Sequence, residues 1–100
     1  MEKRCLHLIE RIVAQPDQID QLKGWLQRAA EETRQVPGVQ QLELFQNGQN
    51  PAEFIFFLIV DDLKQVTDAL NQADWHQQLV EALPGLLAAS IERVIGPKIG

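Results

Sequence analysis

The stretch EFIFFLIV, residues 53–60, decides the fold of this chain. It is a short apolar run, rich in aromatic and β-branched residues, between turn-forming residues and two aspartates, and this predicts a strand over Glu53–Val60. Side chains alternate across a strand, and here both faces are apolar. A chain of this length must therefore cover both sides of a central strand.

Composition places the chain among ordinary soluble globular proteins. Its 100 residues suffice for one core but not for two, so we expect a single domain over residues 1–100. The net charge of −5 and the pI near 4.9 argue against nucleic acid or an anionic membrane as a partner. Neither a secretory signal nor a run of about 18 apolar residues is present, so we expect a cytoplasmic protein.

The order of predicted elements is β-α-β-β-α-β, the split βαβ pattern of ferredoxin-like α+β domains. Strands are predicted over Cys5–Ala14, Val39–Phe45, Glu53–Val60 and Ile91–Ile95, and helical segments over Asp17–Gln35, after Asp61–Asp62 and over Trp75–Leu83. Right-handed crossovers place the helices on one face of a four-stranded antiparallel sheet. A homodimer through the open sheet face is the simplest cover for the other face, and a monomer with an exposed apolar patch is the alternative.

Turn and cap residues predict where these elements begin and end. The expected helix N-caps are Asp17, one of Asp61 and Asp62, and Asp74. Pro37-Gly38 is expected to stop the first helix and turn the chain. Gln40-Gln41 interrupts the alternation of the second strand and predicts a β-bulge.

Few residues suggest a metal or cofactor site. The single Cys5 excludes an intramolecular disulfide and is expected to be a small buried side chain. Asp61-Asp62 has the composition of a metal-binding carboxylate pair, but helix capping explains it better. Nucleotide-binding and hydrolase motifs are absent from the sequence, and we expect no metal and no cofactor.

Three polar residues, His7, Glu10 and Arg11, interrupt the otherwise apolar first strand. Glu10 lies three positions from His7, so the two side chains face opposite sides of the strand and do not form one site. We interpret all three as polar residues of an edge strand or of an interface.

Five stretches carry a likeness to a known family. They are Arg11–Asp17, Glu32–Val39, Glu53–Val60 with its acidic cap, Ala73–Val80 and Leu83–Leu87. Together they resemble the antibiotic biosynthesis monooxygenase family, within the dimeric α+β barrel group. The resemblance implies two sheets packed across a homodimer into a barrel, with a pocket between sheet and helices in each subunit. Members include oxygenases that act on aromatic or quinol-type substrates without metal or flavin, haem-degrading relatives and many proteins of unassigned activity.

The resemblance also suggests site residues. His76 stands where many relatives carry a histidine, and it is the candidate catalytic base for deprotonating a phenol; the alternative is a helix-start histidine that bonds the backbone or faces solvent. Trp75 and Trp25 are candidates to line an aromatic substrate pocket, with core or interface packing as the alternative. Phe56 and Val60 complete the expected substrate-binding set, at strand positions where relatives often carry a polar residue or a tryptophan.

Two classes of function follow from this pattern. One is a small cofactor-independent monooxygenase with an aromatic or quinol-type substrate. The alternative is a non-catalytic dimeric module of the same fold, which binds a small aromatic ligand or regulates a partner. A cup with several convergent polar groups would favour the enzyme, whereas a filled apolar core would favour the module.

Overall fold

The apolar strand at residues 53–60 lies inside a four-stranded antiparallel sheet, in a computed structural model that describes residues 5–100. The elements are β1 (Leu6–Val13), α1 (Ile19–Thr33), β2 (Val39–Gln46), β3 (Glu53–Val60), α2 (Leu63–Gln72), α3 (Asp74–Ala82), a 3-10 turn (Leu83–Gly85) and β4 (Glu92–Pro97). The strand order is β2-β3-β1-β4, which confirms the predicted ferredoxin-like α+β fold. Residues 1–4 of the predicted domain lie outside the described residues.

Burial alternates strictly along β3, as the sequence predicts. The buried side chains are Phe54, Phe56, Leu58 and Val60, and the half-buried ones are Ile55, Phe57 and Ile59. The buried set faces the helices and joins one core cluster with Leu22 and Leu26 of α1 and Val66 of α2. Burying a side chain of this size contributes roughly 1.5–3 kcal/mol. The helix side of the sheet is therefore covered by the chain itself, and the other side is left open.

One of the predicted N-caps is confirmed. The side chain of Asp62 accepts a hydrogen bond from the backbone N–H of Gln65 at 3.1 Å, which satisfies an amide that α2 leaves without a partner. β3 ends at Val60 and α2 begins at Leu63, so only Asp61 and Asp62 join the sheet to the second helical region. Helix capping therefore explains Asp62, as expected in preference to a metal-binding carboxylate pair.

The other two predicted N-caps are wrong. The backbone N–H of Gln18 bonds the carbonyl of Gln15, and this turn moves the start of α1 past Asp17, so that Gln18 occupies the N-cap without a side-chain bond. At α3 the extended residue Ala73 is the N-cap, and Asp74 is the first helical residue. A carboxylate there still favours the helix through its dipole.

Strand ends also differ from their predicted positions. Ala14 is not part of β1 but forms an isolated bridge with Leu87. β4 begins at Glu92, not at Ile91, and ends at Pro97 because its pairing with β1 extends to Leu6 opposite that proline. An edge strand tolerates a proline, which lacks the N–H donor. The predicted bulge is confirmed by a shift in pairing between Val39 and Gln41.

The helices themselves are short. None of the helices within residues 5–100 combines the length and apolarity needed to cross a membrane.

Gly38 is the one residue with a positive φ within residues 5–100, at 96°. It follows the end of α1, and its carbonyl accepts a hydrogen bond of 2.8 Å from the N–H of Asp61, after β3. A Cβ added there would lie 3.3 Å from Cγ2 of the buried Val66. Both the backbone angle and the close contact therefore require glycine at this turn.

We expect opposite effects from the same substitution at two glycines. Gly38→Ala should lower the free energy of unfolding by at least about 1 kcal/mol, because an L side chain is strained at this φ. Gly24→Ala, in the interior of α1 with no atom within 4 Å of the added Cβ, should raise it by up to about 1 kcal/mol. Urea denaturation of both variants measures the difference, and equal effects at the two sites would contradict it.

Candidate functional site

A cavity of about 400 Å³ lies between the helix-facing side of the sheet and the helices. Its sheet wall includes Leu8 of β1, Phe56 of β3 and Ile95 of β4, and its helix wall includes Leu26 of α1 and Leu70 of α2. Most of the lining is apolar, and the volume lies within the range of small-molecule sites. The core is therefore not filled, and the space suits a compact, largely apolar ligand.

Six polar side chains share this cavity. They are Glu10 and Arg93 on the sheet wall, and Thr33, Thr67, Asn71 and His76 on the helix wall. A mainly apolar pocket with a few polar groups that converge on it is the common form of a binding or active site. The cavity therefore combines a mainly apolar wall with several polar side chains.

His76 reaches the cavity because of where α3 begins. A single residue, Ala73, separates α2 from α3, so that Trp75 and His76 lie in the first turn of α3. Both are half-buried, and their rings meet edge to face with centroids 5.7 Å apart. No side chain or carbonyl within residues 5–100 makes a hydrogen bond to the imidazole of His76. The ring thus lies at the cavity wall with its nitrogen atoms available.

Two of the other predicted substrate-binding residues lie at the cavity and two lie elsewhere. Trp75 and Phe56 are among the lining residues. Trp25 is half-buried and packs against the edge of the core outside the cavity, because successive helical residues point about 100° apart and its neighbour Leu26 takes the inward position. Val60 has an exposed fraction of 0% and is enclosed at the far end of β3. Neither position supports contact with a ligand in the cavity.

The charged pair Glu10 and Arg93 was not predicted as part of the site. Nη2 of Arg93 lies 2.9 Å from Oε2 of Glu10, directly across the β1–β4 pairing. The interpretation of Glu10 as an edge or interface residue is wrong, since its side chain faces the helices and is only 17% exposed. A signal was present in the sequence, because Glu10 shares its strand face with Leu8 and Ile12, which are core residues.

The described residues offer little for metal binding. Within residues 5–100, no three His, Cys, Asp or Glu side chains come together as a metal-binding group. The prediction that Cys5 is a small buried side chain is wrong. Cys5 is half-buried, and its Sγ lies 3.4 Å from Oε1 of Gln40 and 3.7 Å from Oδ1 of Asp61.

The open face of the sheet carries apolar side chains from all four strands. The most accessible are Phe45 of β2, 54% exposed, and Val94 of β4, 68% exposed. Ile9 of β1 lies on the same face, opposite Phe57 of β3 and Val94 of β4. His7 packs its ring against Phe57, with centroids 5.9 Å apart, and its Nδ1 is buried without a hydrogen-bond partner among residues 5–100. An apolar patch of this kind on a protein surface commonly marks an interaction site.

Ion pairs border this open face. Nε of Arg11 lies 2.5 Å from Oε2 of Glu53, and Nδ2 of Asn47 donates a 3.0 Å hydrogen bond to the other oxygen of the same carboxylate. The Asn47 amide and then the Arg11 guanidinium hold the pKa of Glu53 below its ordinary value of 4.5. Glu92 lies 3.7 Å from the same arginine.

The fold and its cavity define a class, a small α+β domain that encloses a ligand-sized space between one sheet face and its helices. The family model described as antibiotic biosynthesis monooxygenase matches residues 6–82, and the chain belongs to this family. The match contains all the elements except the final turn and β4, and it includes His76 and Glu10 but not Arg93.

Solved structures share the whole fold. A crystal structure of an antibiotic biosynthesis monooxygenase is 21% identical, with a TM-score of 0.83, and the match covers 95% of this chain and 99% of that one. PA3566 from Pseudomonas aeruginosa is 18% identical, with a TM-score of 0.87 and coverage of 97% and 96%. Rv0793 from Mycobacterium tuberculosis is 16% identical, with a TM-score of 0.83 and coverage of 96% of each chain. No curated protein matches the sequence significantly.

The lowered pKa of Glu53 predicts a pH-dependent stability. The ionised carboxylate stabilises the folded state at pH values above its unfolded-state pKa, and this contribution is lost as the pH falls through the lower folded-state pKa. Glu53→Gln should therefore be less stable than the parent near neutral pH and should converge with it in acid. Urea denaturation from neutral pH to about pH 3 tests this, with the exposed Glu31→Gln as the control. A constant difference across the range would contradict it.

Proposed function

We propose that this protein is a cofactor-independent monooxygenase whose aromatic, quinol-type substrate binds in the cavity between the sheet and the helices. The observation that carries the proposal is the position of His76 beside Trp75, at the wall of a mainly apolar cavity. Histidine is the side chain whose ordinary titration lies nearest neutral pH, which suits a base that accepts a phenolic proton. Membership of the family supports the same class of chemistry.

The surroundings of His76 suit an aromatic substrate. The rings of Trp75 and Phe56 and the aliphatic lining provide apolar contact for a planar ring. Proton transfer to His76 would leave an electron-rich phenolate, and dioxygen would be the oxidant. A quinol would lose two hydrogen atoms and gain one oxygen atom to become a hydroxyquinone, while the second oxygen atom leaves as water. This balance requires no reductant and no bound cofactor.

His76→Ala tests this function. A panel of hydroquinones and related phenols is screened for oxygen uptake with the parent protein. For any substrate that is oxidised, loss of the positioned base should lower kcat by a factor of roughly 10²–10⁴. The matched control is Gln78→Ala, an exposed residue of the same helix that does not line the cavity. Unchanged turnover in His76→Ala would remove this residue from the chemistry, and no turnover of the panel by the parent would favour the alternative below.

The alternative is a non-catalytic module that binds a small aromatic ligand in the same cavity. One observation favours it: within residues 5–100, no carboxylate or carbonyl holds the imidazole of His76 in a fixed orientation, whereas activated bases in enzymes are commonly oriented by a third group. Thr67 and Asn71 also lie at the cavity and provide donors and acceptors for binding alone.

We infer further that the protein is a homodimer through the open sheet face. Phe45, Val94 and Ile9 expose apolar surface there, and Phe57 lies at the centre between β1 and β2. A second copy of the same face would remove this surface from water, and a symmetric pair needs no other partner. The buried Nδ1 of His7, which has no hydrogen-bond partner among residues 5–100, lies on the same face.

Sedimentation measures the dimer directly. The parent should sediment at twice the 11.3 kDa of the chain at micromolar concentration, and a purely monomeric protein would contradict the inference. Phe57→Asp should dissociate or unfold the protein, because the interface would bury an unpaired charge. Phe45→Asp, at a more exposed position on an edge strand, should dissociate the dimer while the subunit stays folded. Gln27→Asp, on the solvent side of α1, is the control and should remain dimeric.

A further inference from the structure

Glu10 and Arg93 are the only carboxylate and the only guanidinium that line the cavity among the described residues, and the proposed base does not use them. They lie opposite each other on β1 and β4. Leu8 and Ile12 flank Glu10 on the cavity-facing side of β1, and Ile95 lies next to Arg93 on the cavity-facing side of β4. A charged pair is therefore built into the otherwise apolar sheet wall of a ligand-sized space.

The geometry of this pair leaves one oxygen atom unused. Both contacts from Arg93 go to Oε2 of Glu10, from Nη2 at 2.9 Å and from Nε at 3.3 Å. Oε1 accepts no hydrogen bond from any residue within 5–100. A fork in which each nitrogen bonded its own oxygen would have satisfied both. The guanidinium thus holds the carboxylate in place and leaves a charged acceptor available.

That acceptor is accessible. Among residues 5–100, the only buried side-chain nitrogen or oxygen without a hydrogen-bond partner is Nδ1 of His7, on the opposite sheet face. Oε1 of Glu10 is therefore not sealed in the core. Glu10 lines the cavity, so its carboxylate belongs to the wall that a ligand held there would contact. An ionised oxygen beside apolar side chains is stabilised by a donor, and a hydroxyl group of the ligand is one.

The charges of the pair also determine which ligand is disfavoured. Arg93 by itself would attract a carboxylate, but Glu10 already neutralises it and adds a negative charge to the same wall. A ligand carboxylate at this wall would face a like charge and would have to displace Glu10 from the guanidinium. A neutral hydroxyl has neither cost.

We propose that Glu10 is a ligand-contacting residue whose Oε1 accepts a hydrogen bond from a ligand hydroxyl, that Arg93 positions it, and that the cavity therefore selects hydroxylated aromatics over aromatic carboxylates with the same ring. The assignment rests on the proposed function only in that the ligand is aromatic. It concerns binding and requires no turnover, so the two can fail separately. A merely structural role for the pair, joining β1 to β4, would affect stability and leave the preference between ligands unchanged.

The test is a comparison of two probes with the same naphthalene ring, 2-naphthol and 2-naphthoate, near neutral pH, where the first is neutral and the second ionised. Isothermal titration calorimetry on the full chain gives the ratio of their Kd values. The parent should bind 2-naphthol about tenfold or more tightly than 2-naphthoate, since the hydroxyl donates a hydrogen bond to a charged group, whereas the ionised probe has no donor and meets a like charge. Glu10→Gln, of nearly the same shape, frees Arg93 and should reverse the preference.

Two further variants separate this role from others. Glu81→Gln removes one negative charge from an exposed position of α3 outside the cavity, and it should leave the Kd ratio as in the parent. Arg93→Gln, at a side chain 59% exposed, should fold even if Glu10→Gln does not. It should weaken 2-naphthol binding without any gain for 2-naphthoate, because the remaining carboxylate is no longer held in place. Arg93→Lys, which keeps the cation, should recover part of the 2-naphthol affinity.

The outcomes are distinct. An equal Kd ratio in the parent and in Glu10→Gln, tighter binding of 2-naphthoate by the parent, or no binding of either probe would each overturn the assignment. If Glu10→Gln does not fold, a parental Kd ratio in Arg93→Gln would overturn it. Reversed selectivity in Glu10→Gln together with no oxygen uptake by the parent would retain the ligand contact and reject the oxygenase. Oxidation of quinols that depends on His76, with selectivity unaffected by Glu10→Gln, would do the opposite.

Discussion

The two apolar faces of β3 are the constraint on which the rest of this structure depends. Four of its side chains are buried under the helices, and three remain half-buried on the other face. β3 is an interior strand, paired with β2 on one side and β1 on the other, so its apolar side chains lie within both faces of the sheet. The helices cover one face, and no helix or strand within residues 5–100 forms a layer over the second. Fold, cavity and proposed assembly all follow from this division.

The cavity exists because the helices do not cover the sheet evenly. The core cluster includes Leu22 of α1, Val66 of α2 and Leu86 after the 3-10 turn, which pack against the sheet. Between them lies the space bounded by Trp75 and His76 on one wall and by Glu10 on the other. Native interiors are close-packed, so the space remains only where the helices leave the sheet uncovered, and its volume is in the range of small-molecule sites.

Periodicity predicted most of the fold from the sequence, because a strand or helix pattern repeats over many residues. Single-residue assignments were less secure. Asp17 and Asp74 have the right side chain for an N-cap, but a turn before α1 and the one-residue link before α3 shifted both helix starts. Trp25 is large and aromatic, yet a rotation of about 100° on the helix takes it away from the cavity. Glu10 could have been placed from its strand face. Its pairing with Arg93, 83 positions away in sequence, depends on the meeting of β1 and β4 in the sheet.

The strand β4 contributes side chains both to the cavity and to the open face of the sheet. Arg93 and Ile95 line the cavity, while Val94 between them lies on the open face. Because alternate residues of a strand take opposite sides, inserting or deleting one residue in β4 would exchange the two sets of side chains beyond that point. An insertion or deletion in β4 would therefore disturb the cavity and the open face together. We expect this strand to change in evolution by substitution and not by insertion.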